Sequence, residues 1–245
     1  YVKAHIGTAL GKLRARASAP TLAKGMDHKN EHISRSAAIA LGLVVNPENK
    51  KLVNLLRRKA ASGGSRSTRN FSLISLGEVG SAEGTKTLLE RLRKGQAMDK
   101  AYAALGLGIQ GFNGKLAFKS EVVEIVYKEY KSTKSPNLKG ALAISLGLLD
   151  ATNHVEDIRK DIDKIGTQSV QGYLAVALAL LNDQHSIPAI RELVRKRGDV
   201  DRRKMAAIAL GMLRDRKAIS LLEDVMKRSS NSKAILGSAT VAMGH

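Results

Sequence analysis

The sequence predicts an all-α protein, a right-handed α-solenoid of about seven and a half helix pairs without a β-sheet. Three observations support this prediction. A short phrase of small residues ending in Leu-Gly returns along the chain at spacings of 29 to 41 residues. Each copy is followed by a segment whose apolar residues recur at helical spacing. No segment alternates apolar and polar residues with the period of two that is typical of a half-buried strand.

The first helix of each predicted pair ends in the repeated phrase. Its glycine position recurs about every 33 residues, and only the sixth copy has alanine there. The alanine and serine residues of the phrase give a thin helix face that lets a neighbouring helix approach closely. We expect the glycine near the helix end, where a turn can use its freedom at positive φ. The eight copies end at Gly11, Gly42, Gly77, Gly106, Gly147, Ala179, Gly211 and Gly244.

The second helix of each pair is predicted from an apolar stripe at positions i, i+3 and i+4. The clearest stripes are Leu52, Leu55 and Leu56; Leu88, Leu89 and Leu92; Ile187, Ile190 and Val194; and Leu221, Leu222 and Val225. The prolines support this assignment, since all of them fall at or just before predicted helix starts, where a missing N–H costs little.

The stretch from Asp199 to Ile219 resembles the short bacterial HEAT repeat, which also occurs in phycobilisome-lyase-like proteins. The resemblance rests on Asp199, on Arg203 and on the run Ala206-Ala207-Ile208-Ala209-Leu210-Gly211. At the arginine position of this family, eight residues before the glycine, other repeats have Arg69 and Lys139. The resemblance covers nearly the whole chain and is specific for the fold. It implies a non-enzymatic scaffold whose extended surface binds another macromolecule.

We expect one solenoid domain over residues 1–245, with a longer, irregular unit whose loop insertion lies around residues 107–118. A solenoid needs polar caps at its ends, but residues 1–11 and 239–244 both read as first helices of a pair. We therefore expect the sequence to be part of a longer chain.

Composition excludes several classes of protein. The chain has no cysteine, so it has neither a disulfide framework nor a thiolate metal site. No apolar run approaches the ~20 residues that span a bilayer. The sequence does not identify a compartment, and a soluble, cytoplasmic protein is the default expectation. The 41 Lys+Arg against 22 Asp+Glu give a formal net charge of +19.

Most of this charge falls in the turns between successive helix pairs. These turns, each with the last helical turn before it, hold 27 of the 41 basic residues and 9 of the 22 acids, an excess of +18. Because equivalent turns of a solenoid stack on one edge, we expect a basic edge. Its predicted residues are Arg57, Arg58, Lys59, Arg91, Arg93, Lys94, Lys128, Lys131, Arg195, Lys196, Arg197, Arg202, Arg203, Lys227 and Arg228.

Three interpretations of the basic edge remain open. Lys and Arg are favoured in the last turn of a helix, because they complement the helix dipole, so the edge can be a solvated face without a ligand. An acidic protein partner is the second interpretation. The third is sequence-independent binding of nucleic acid or another polyanion through phosphate contacts, since the chain has no tryptophan and few other aromatic residues for base stacking.

Aromatic residues cluster around the irregular unit. Phe112, Phe118, Tyr127 and Tyr130 either fill the gap that the insertion leaves or, if exposed, form a hot spot for a partner.

Two motifs match enzyme signatures without their expected context. Gly106-Leu107-Gly108-Ile109-Gln110-Gly111 fits the dinucleotide fingerprint but follows a predicted helix, so we expect a glycine-rich turn there. His28, Glu31 and His32 fit a zinc-peptidase motif but straddle a predicted turn, with Asn30 as an N-cap. We therefore predict no catalytic residues, no metal and no cofactor, and an enzyme is the third hypothesis, behind the two binding functions.

Overall fold

The computed structural model describes residues 2–62, 64–196, 198–228 and 237, and its helices are joined by turns and short connections, with no strand among these residues. The predicted all-α class is confirmed. The helix expected at 239–244 lies outside the described residues. The helices are α1 (Val2–Lys12), α2 (Ala19–Gly25), α3 (Glu31–Val44), α4 (Lys50–Ser62), α5 (Arg66–Val79), α6 (Ala82–Lys94), α7 (Ala97–Phe112), α8 (Lys119–Ser132), α9 (Pro136–Leu148), α10 (Val155–Lys164), α11 (Gln168–Leu180), α12 (Ile187–Arg195), α13 (Val200–Met212) and α14 (Ile219–Arg228).

The chain packs as two compact units, Tyr1–Val122 and Val123–His245. In the first unit, α1, α3, α5 and α7 pack in series, and α2, α4 and α6 each pack against the first helix of the next pair. The second unit repeats this arrangement with α9, α11 and α13 in series and with α10 and α12 against the following first helices. This repeated pairing is the packing of an α-solenoid. The expectation of a single domain over the whole chain stays a prediction.

The first and second helices bury different residues because they have different numbers of neighbours. A first helix contacts other helices on several sides, and its buried positions are mainly small, such as Ala38, Ala40, Ala103 and Ala104. A second helix buries a single stripe of larger residues, such as Leu56, Leu88, Leu92, Ile190 and Val194. The predicted thin face and the predicted apolar stripes are both confirmed.

The repeated glycines act through close packing, and their expected position in a turn at positive φ is wrong. Gly42, Gly77 and Gly106 lie inside α3, α5 and α7, and none of them has a positive φ. A Cβ on Gly77 would lie 2.1 Å from the carbonyl oxygen of Gly106, and one on Gly106 would lie 2.7 Å from that of Leu73. The glycines are needed because the backbones of successive first helices approach too closely for a side chain.

In five of the seven described pairs, a left-handed residue instead follows three positions after the glycine position; the exceptions are the pairs of Gly42, where Val45 has φ −75°, and of Gly106, where α7 continues. Gly80 has φ 77°, and the equivalent non-glycine residues Arg14, Asp150, Asn182 and Arg214 have φ between 50° and 55°. In all four non-glycine cases a short 3-10 helix follows, at Arg16–Ser18, Thr152–His154, Gln184–Ser186 and Arg216–Ala218. The connection inside a helix pair is therefore itself a repeated structure.

The irregular unit is long partly because its first helix is long. α7 continues to Phe112, and the connection to α8 is residues 113–118. The glycine-rich turn expected at 106–111 is wrong, since Gly106, Gly108 and Gly111 are all buried positions of α7. Part of the insertion expected around residues 107–118 is thus helix, and Gly114, at φ 67°, lies in the remaining connection.

A candidate anion-binding groove

The basic residues of the predicted edge fall into three classes of exposure. Arg57, Lys59, Arg91 and Arg203 are half-buried, and Arg202 is buried, with 4% of its surface exposed. Arg197 lies outside the described residues, and Arg228 belongs to the last turn of α14. The exposed members are Arg58, Arg93, Lys94, Lys128, Lys131, Arg195, Lys196 and Lys227.

Arg202 and Arg203 serve the fold. The Arg202 guanidinium donates to the Lys196 carbonyl oxygen at 2.8 Å, and Arg203 Nε donates to that of Val194 at 3.2 Å. These two carbonyl groups lie at the C-terminal end of α12, where the helix has no further backbone N–H groups that could donate to them. The assignment of Arg202 to an exposed binding edge is wrong, because its side chain turns back to cap the preceding helix.

Several other cations of the edge are neutralised by nearby carboxylates. Lys59 forms an ion pair with Asp27, and Arg195 forms one with Glu192. Lys131 lies 3.6 Å from Asp157. The contact between Lys59 and Asp27 joins two successive inter-pair turns, so turns within the first unit do lie side by side. A continuous basic edge along the whole chain stays a prediction.

A group of cations without a paired carboxylate among the described residues lies in a groove between α4 and α6 in the first unit. The groove has a volume of about 630 Å³. Four cations and a single carboxylate line it: Lys51, Arg57, Arg58 and Arg91, with Glu90. Within the part of the chain that the structure describes, none of these four cations has a carboxylate within 4.0 Å. We call this site the basic groove.

Neutral hydrogen bonds hold two of its guanidinium groups in place. Arg57 donates to Thr87 Oγ1 and to Asn54 Oδ1, both at 3.0 Å. Arg91 donates to the carbonyl oxygen of Ala61 at 2.9 Å. These partners orient the guanidiniums across α4 and α6 without cancelling their charge. A guanidinium that is already oriented loses less side-chain entropy when an anion binds.

The predicted aromatic residues differ widely in exposure. Phe112 and Phe118 are 67% and 74% exposed in the first unit, whereas Tyr130 of the second unit is fully buried and Tyr127 is half-buried. Tyr130 donates to Asp161 at 2.7 Å. Its inclusion as a partner anchor is wrong, because α8 uses it as a core residue.

Tyr127 belongs to a polar cluster between α8 and α10. Its ring stacks on the His154 ring at 3.6 Å between centroids, and its hydroxyl donates to the Asp157 carboxylate. This hydrogen bond raises the pKa of Tyr127 to about 12 and lowers the pKa of Asp157. Burial, more than the hydrogen bond to Asp161, raises the pKa of Tyr130.

Two arginine–aspartate pairs that the sequence reasoning missed link successive helix pairs of the second unit. Arg159 of α10 contacts Asp183 with two hydrogen bonds of 2.8 and 2.6 Å, and Arg191 of α12 contacts Asp215 at 2.7 and 2.5 Å. Each hydrogen-bonded carboxylate raises the pKa of its arginine. The signal was present, because both members recur together after 32 residues.

The histidine motif lies at the start of α3. Asn30 accepts from the backbone N–H groups of His32 and Ile33, which confirms the predicted N-cap. His28 Nδ1 accepts from the Asn30 backbone, and His32 lies near Arg35. Among the described residues no three His, Asp or Glu side chains are grouped so that they could hold a metal ion.

Comparison with known proteins bears on the fold. Residues 165–242 match the family model described as HEAT repeats, and the helix packing repeats over both units. The match and the repeated packing together support a HEAT-repeat family for this chain. No curated protein sequence matches it. Within the described parts of this chain, no helix is both long enough and apolar enough to span a membrane.

Two solved structures are similar to this chain. One is the complex of CpcE and CpcF of phycocyanin lyase from Nostoc sp. PCC7120, with a TM-score of 0.56 and 15% sequence identity over 92% of this chain and 94% of that chain. The other is human deoxyhypusine hydroxylase in complex with glycerol, with a TM-score of 0.46 and 14% identity over 96% and 98%. At such identities the likeness of the first structure concerns the fold alone.

Proposed function

We propose that this HEAT-repeat protein is a non-enzymatic scaffold that binds an acidic protein partner through the basic groove. The observation that carries the proposal is the convergence of Lys51, Arg57, Arg58 and Arg91 on one groove with Glu90 as its single carboxylate. Lys59, Lys131 and Arg195 of the edge already have a carboxylate nearby, and Arg202 and Arg203 cap a helix, whereas the groove brings four cations together around one space. Arginines favour this ligand, since a guanidinium can donate two parallel hydrogen bonds to a carboxylate.

A polyanion such as nucleic acid is the alternative ligand for the same cations. The groove favours carboxylates over an extended phosphate backbone because its oriented guanidiniums are confined to α4 and α6. The groove is also lined without any aromatic side chain on which a base could stack. The test must therefore compare an acidic peptide with a nucleic acid directly.

The experiment measures the fluorescence anisotropy of a labelled, glutamate-rich peptide and of labelled single-stranded DNA of similar charge. We expect the peptide to bind the wild-type protein and to lose at least about tenfold in affinity in Lys51→Glu/Arg58→Glu, which corresponds to ~1.4 kcal/mol. Both residues are exposed on α4, so the substitutions should leave the fold intact. A circular-dichroism melt checks this.

The matched control is Lys12→Glu/Lys119→Glu, which changes the net charge equally at two exposed lysines outside the groove. We expect it to keep nearly all of the affinity for the peptide. Equal losses in the two double variants would overturn the proposal, because binding would then follow net charge. Tighter binding of DNA than of the peptide, with a steep loss between ~50 and 200 mM salt, would overturn it in favour of a polyanion binder.

A further inference from the structure

A second groove lies on the other side of α4, between α2 and α4. It has a volume of about 390 Å³ and a wall that is mostly apolar, made by Pro20, Ala23, Leu52 and Leu55. Leu52 and Leu55 are only half-buried, so part of each side chain faces this space. This site, which we call the apolar groove, lies within the size range of sites that bind small molecules or side chains.

The two grooves share a pair of cations. Lys51 and Arg58 line both, together with residues of α4 on either side. They are seven residues apart on one helix and therefore lie on the same face, two turns from each other. Lys51 and Arg58 thus form a positively charged strip on α4, which we call the charged crest. The basic groove lies on one side of it and the apolar groove on the other.

We propose that the segment bound at α4 is an acidic amphipathic segment of a protein, whose apolar side chains enter the apolar groove while its carboxylates pair with Lys51 and Arg58. This inference rests on the proposed function and adds the chemical class of the partner to it. A ligand that is acidic only leaves Leu52 and Leu55 in water. An apolar ligand without acids leaves the charged crest uncompensated.

Charge complementarity selects this occupant over others. A nucleic acid gains from the crest but offers no aliphatic side chain for the apolar groove. Another copy of this chain, with its formal net charge of +19, is repelled by the crest except where an acidic patch faces it. A protein segment that carries leucines next to glutamates satisfies both grooves at once.

The test compares two labelled, helix-forming peptides of about four turns with identical glutamate content. One carries two leucines at positions i and i+4, on the same face of its helix, and the other carries serine at both positions. We expect the leucine peptide to bind the wild-type protein about tenfold more tightly, as the burial of part of one or two leucine side chains would give. Equal affinities of the two peptides would overturn the inference.

Two variants of the protein then test whether the difference in affinity between the two peptides arises in the apolar groove. Leu55→Gln should lower the affinity of the leucine peptide to that of the serine peptide. Leu89→Gln is the matched control, since Leu89 is a half-buried leucine of α6 that lines neither groove, and it should keep the tenfold difference. An equal loss of that difference in the two variants would also overturn the inference. Melting curves of both variants show whether each is folded.

The outcomes separate this inference from the proposed function. Equal binding of the two peptides, abolished by Lys51→Glu/Arg58→Glu, would sustain the acidic-partner proposal and overturn only the amphipathic one. Preferential binding of the leucine peptide that survives Lys51→Glu/Arg58→Glu would overturn both, since the apolar groove would then act without the charged crest.

Discussion

At the scale of single residues, Tyr127 shows how one hydrogen bond fixes two protonation states. Its hydroxyl donates to Asp157, which favours the neutral phenol and the ionised carboxylate together. The pKa of Tyr127 is raised to about 12 and that of Asp157 is lowered, so both contributions to stability have a defined pH window. The tyrosine contribution is complete below about pH 10 and is lost as the pH rises through 12. The aspartate contribution is complete above its ordinary pKa of about 3.9 and is lost below it.

We predict that Asp157→Asn returns the pKa of Tyr127 towards the ordinary value of about 10, because the neutral amide no longer favours a protonated phenol next to it. The measurement is the pH dependence of the tyrosine Cζ resonances in protein labelled with 13C at that carbon, with Tyr127→Phe used to assign the signal. An unchanged titration of Tyr127 in Asp157→Asn would show that the hydrogen bond does not raise its pKa.

The residue type predicted the charge of each side chain, but it predicted the exposure of that side chain only in part. Arg58 and Arg91 differ little in the sequence from Arg202, which has the same charge and also lies close to an inter-pair turn. Arg202 is buried because the end of α12 offers it the Lys196 carbonyl oxygen, whereas no described residue offers the exposed Arg58 side chain such an acceptor. The difference in exposure depends on how one helix pair packs against the next, and the position of a residue within the repeat does not predict that packing.

At the scale of helices, the distance between successive first helices depends on the missing side chain of a few glycines. Gly77 and Gly106 face each other so closely that any Cβ on Gly77 would lie inside the contact radius of the Gly106 carbonyl oxygen. Gly7 of α1 is also helical and buried, but the nearest atom to its added Cβ, Ser36 Cβ, is 3.7 Å away. Both glycines lie inside a helix, but only the position of Gly7 leaves room for a side chain.

We predict that Gly77→Ala destabilises the protein by about 1–3 kcal/mol, as overpacking in a well-packed core does. Gly7→Ala should instead leave stability unchanged or raise it by up to about 1 kcal/mol, because alanine has the higher helix propensity. Urea unfolding followed by circular dichroism measures both. If the two substitutions had equal effects, the glycines would matter for helix propensity and not for the approach of α5 and α7.

The repeat predicted the helices better than their connections. The Leu-Gly phrase and the apolar stripes located the helix pairs because each follows directly from which face of a helix is buried. The phrase did not show that its glycine lies inside the helix, since a glycine near a helix end fits both a turn and a close contact. The αL position three residues later was missed because its non-glycine residues, Arg14, Asp150, Asn182 and Arg214, are of three different types.

At the scale of the whole molecule, the formal net charge of +19 opposes the compact state through repulsion between like charges. Ion pairs such as those of Arg159 with Asp183 and of Arg191 with Asp215 act in the other direction. These two pairs are short and their carboxylates are nearly buried, so salt screens them much less than it screens exposed charges. Added salt should therefore weaken mainly the repulsion.

We predict that the melting temperature rises by about 2–4 °C between ~20 and 300 mM sodium chloride, the shift that ~1 kcal/mol gives in a domain of this size. A melting temperature that falls with salt would mean that exposed ion pairs outweigh the repulsion. The measurement is thermal unfolding followed by circular dichroism at each salt concentration.

The two double charge reversals test where this salt dependence arises. Lys51→Glu/Arg58→Glu and Lys12→Glu/Lys119→Glu each replace two positive charges with two negative ones, which lowers the formal charge from +19 to +15. If repulsion over the whole surface sets the slope, both variants flatten it equally. If chloride binding in the basic groove sets it, only Lys51→Glu/Arg58→Glu flattens it, since stabilisation by a ligand requires the ligand's own site. We expect equal flattening, because the groove contributes only four of the 41 cations.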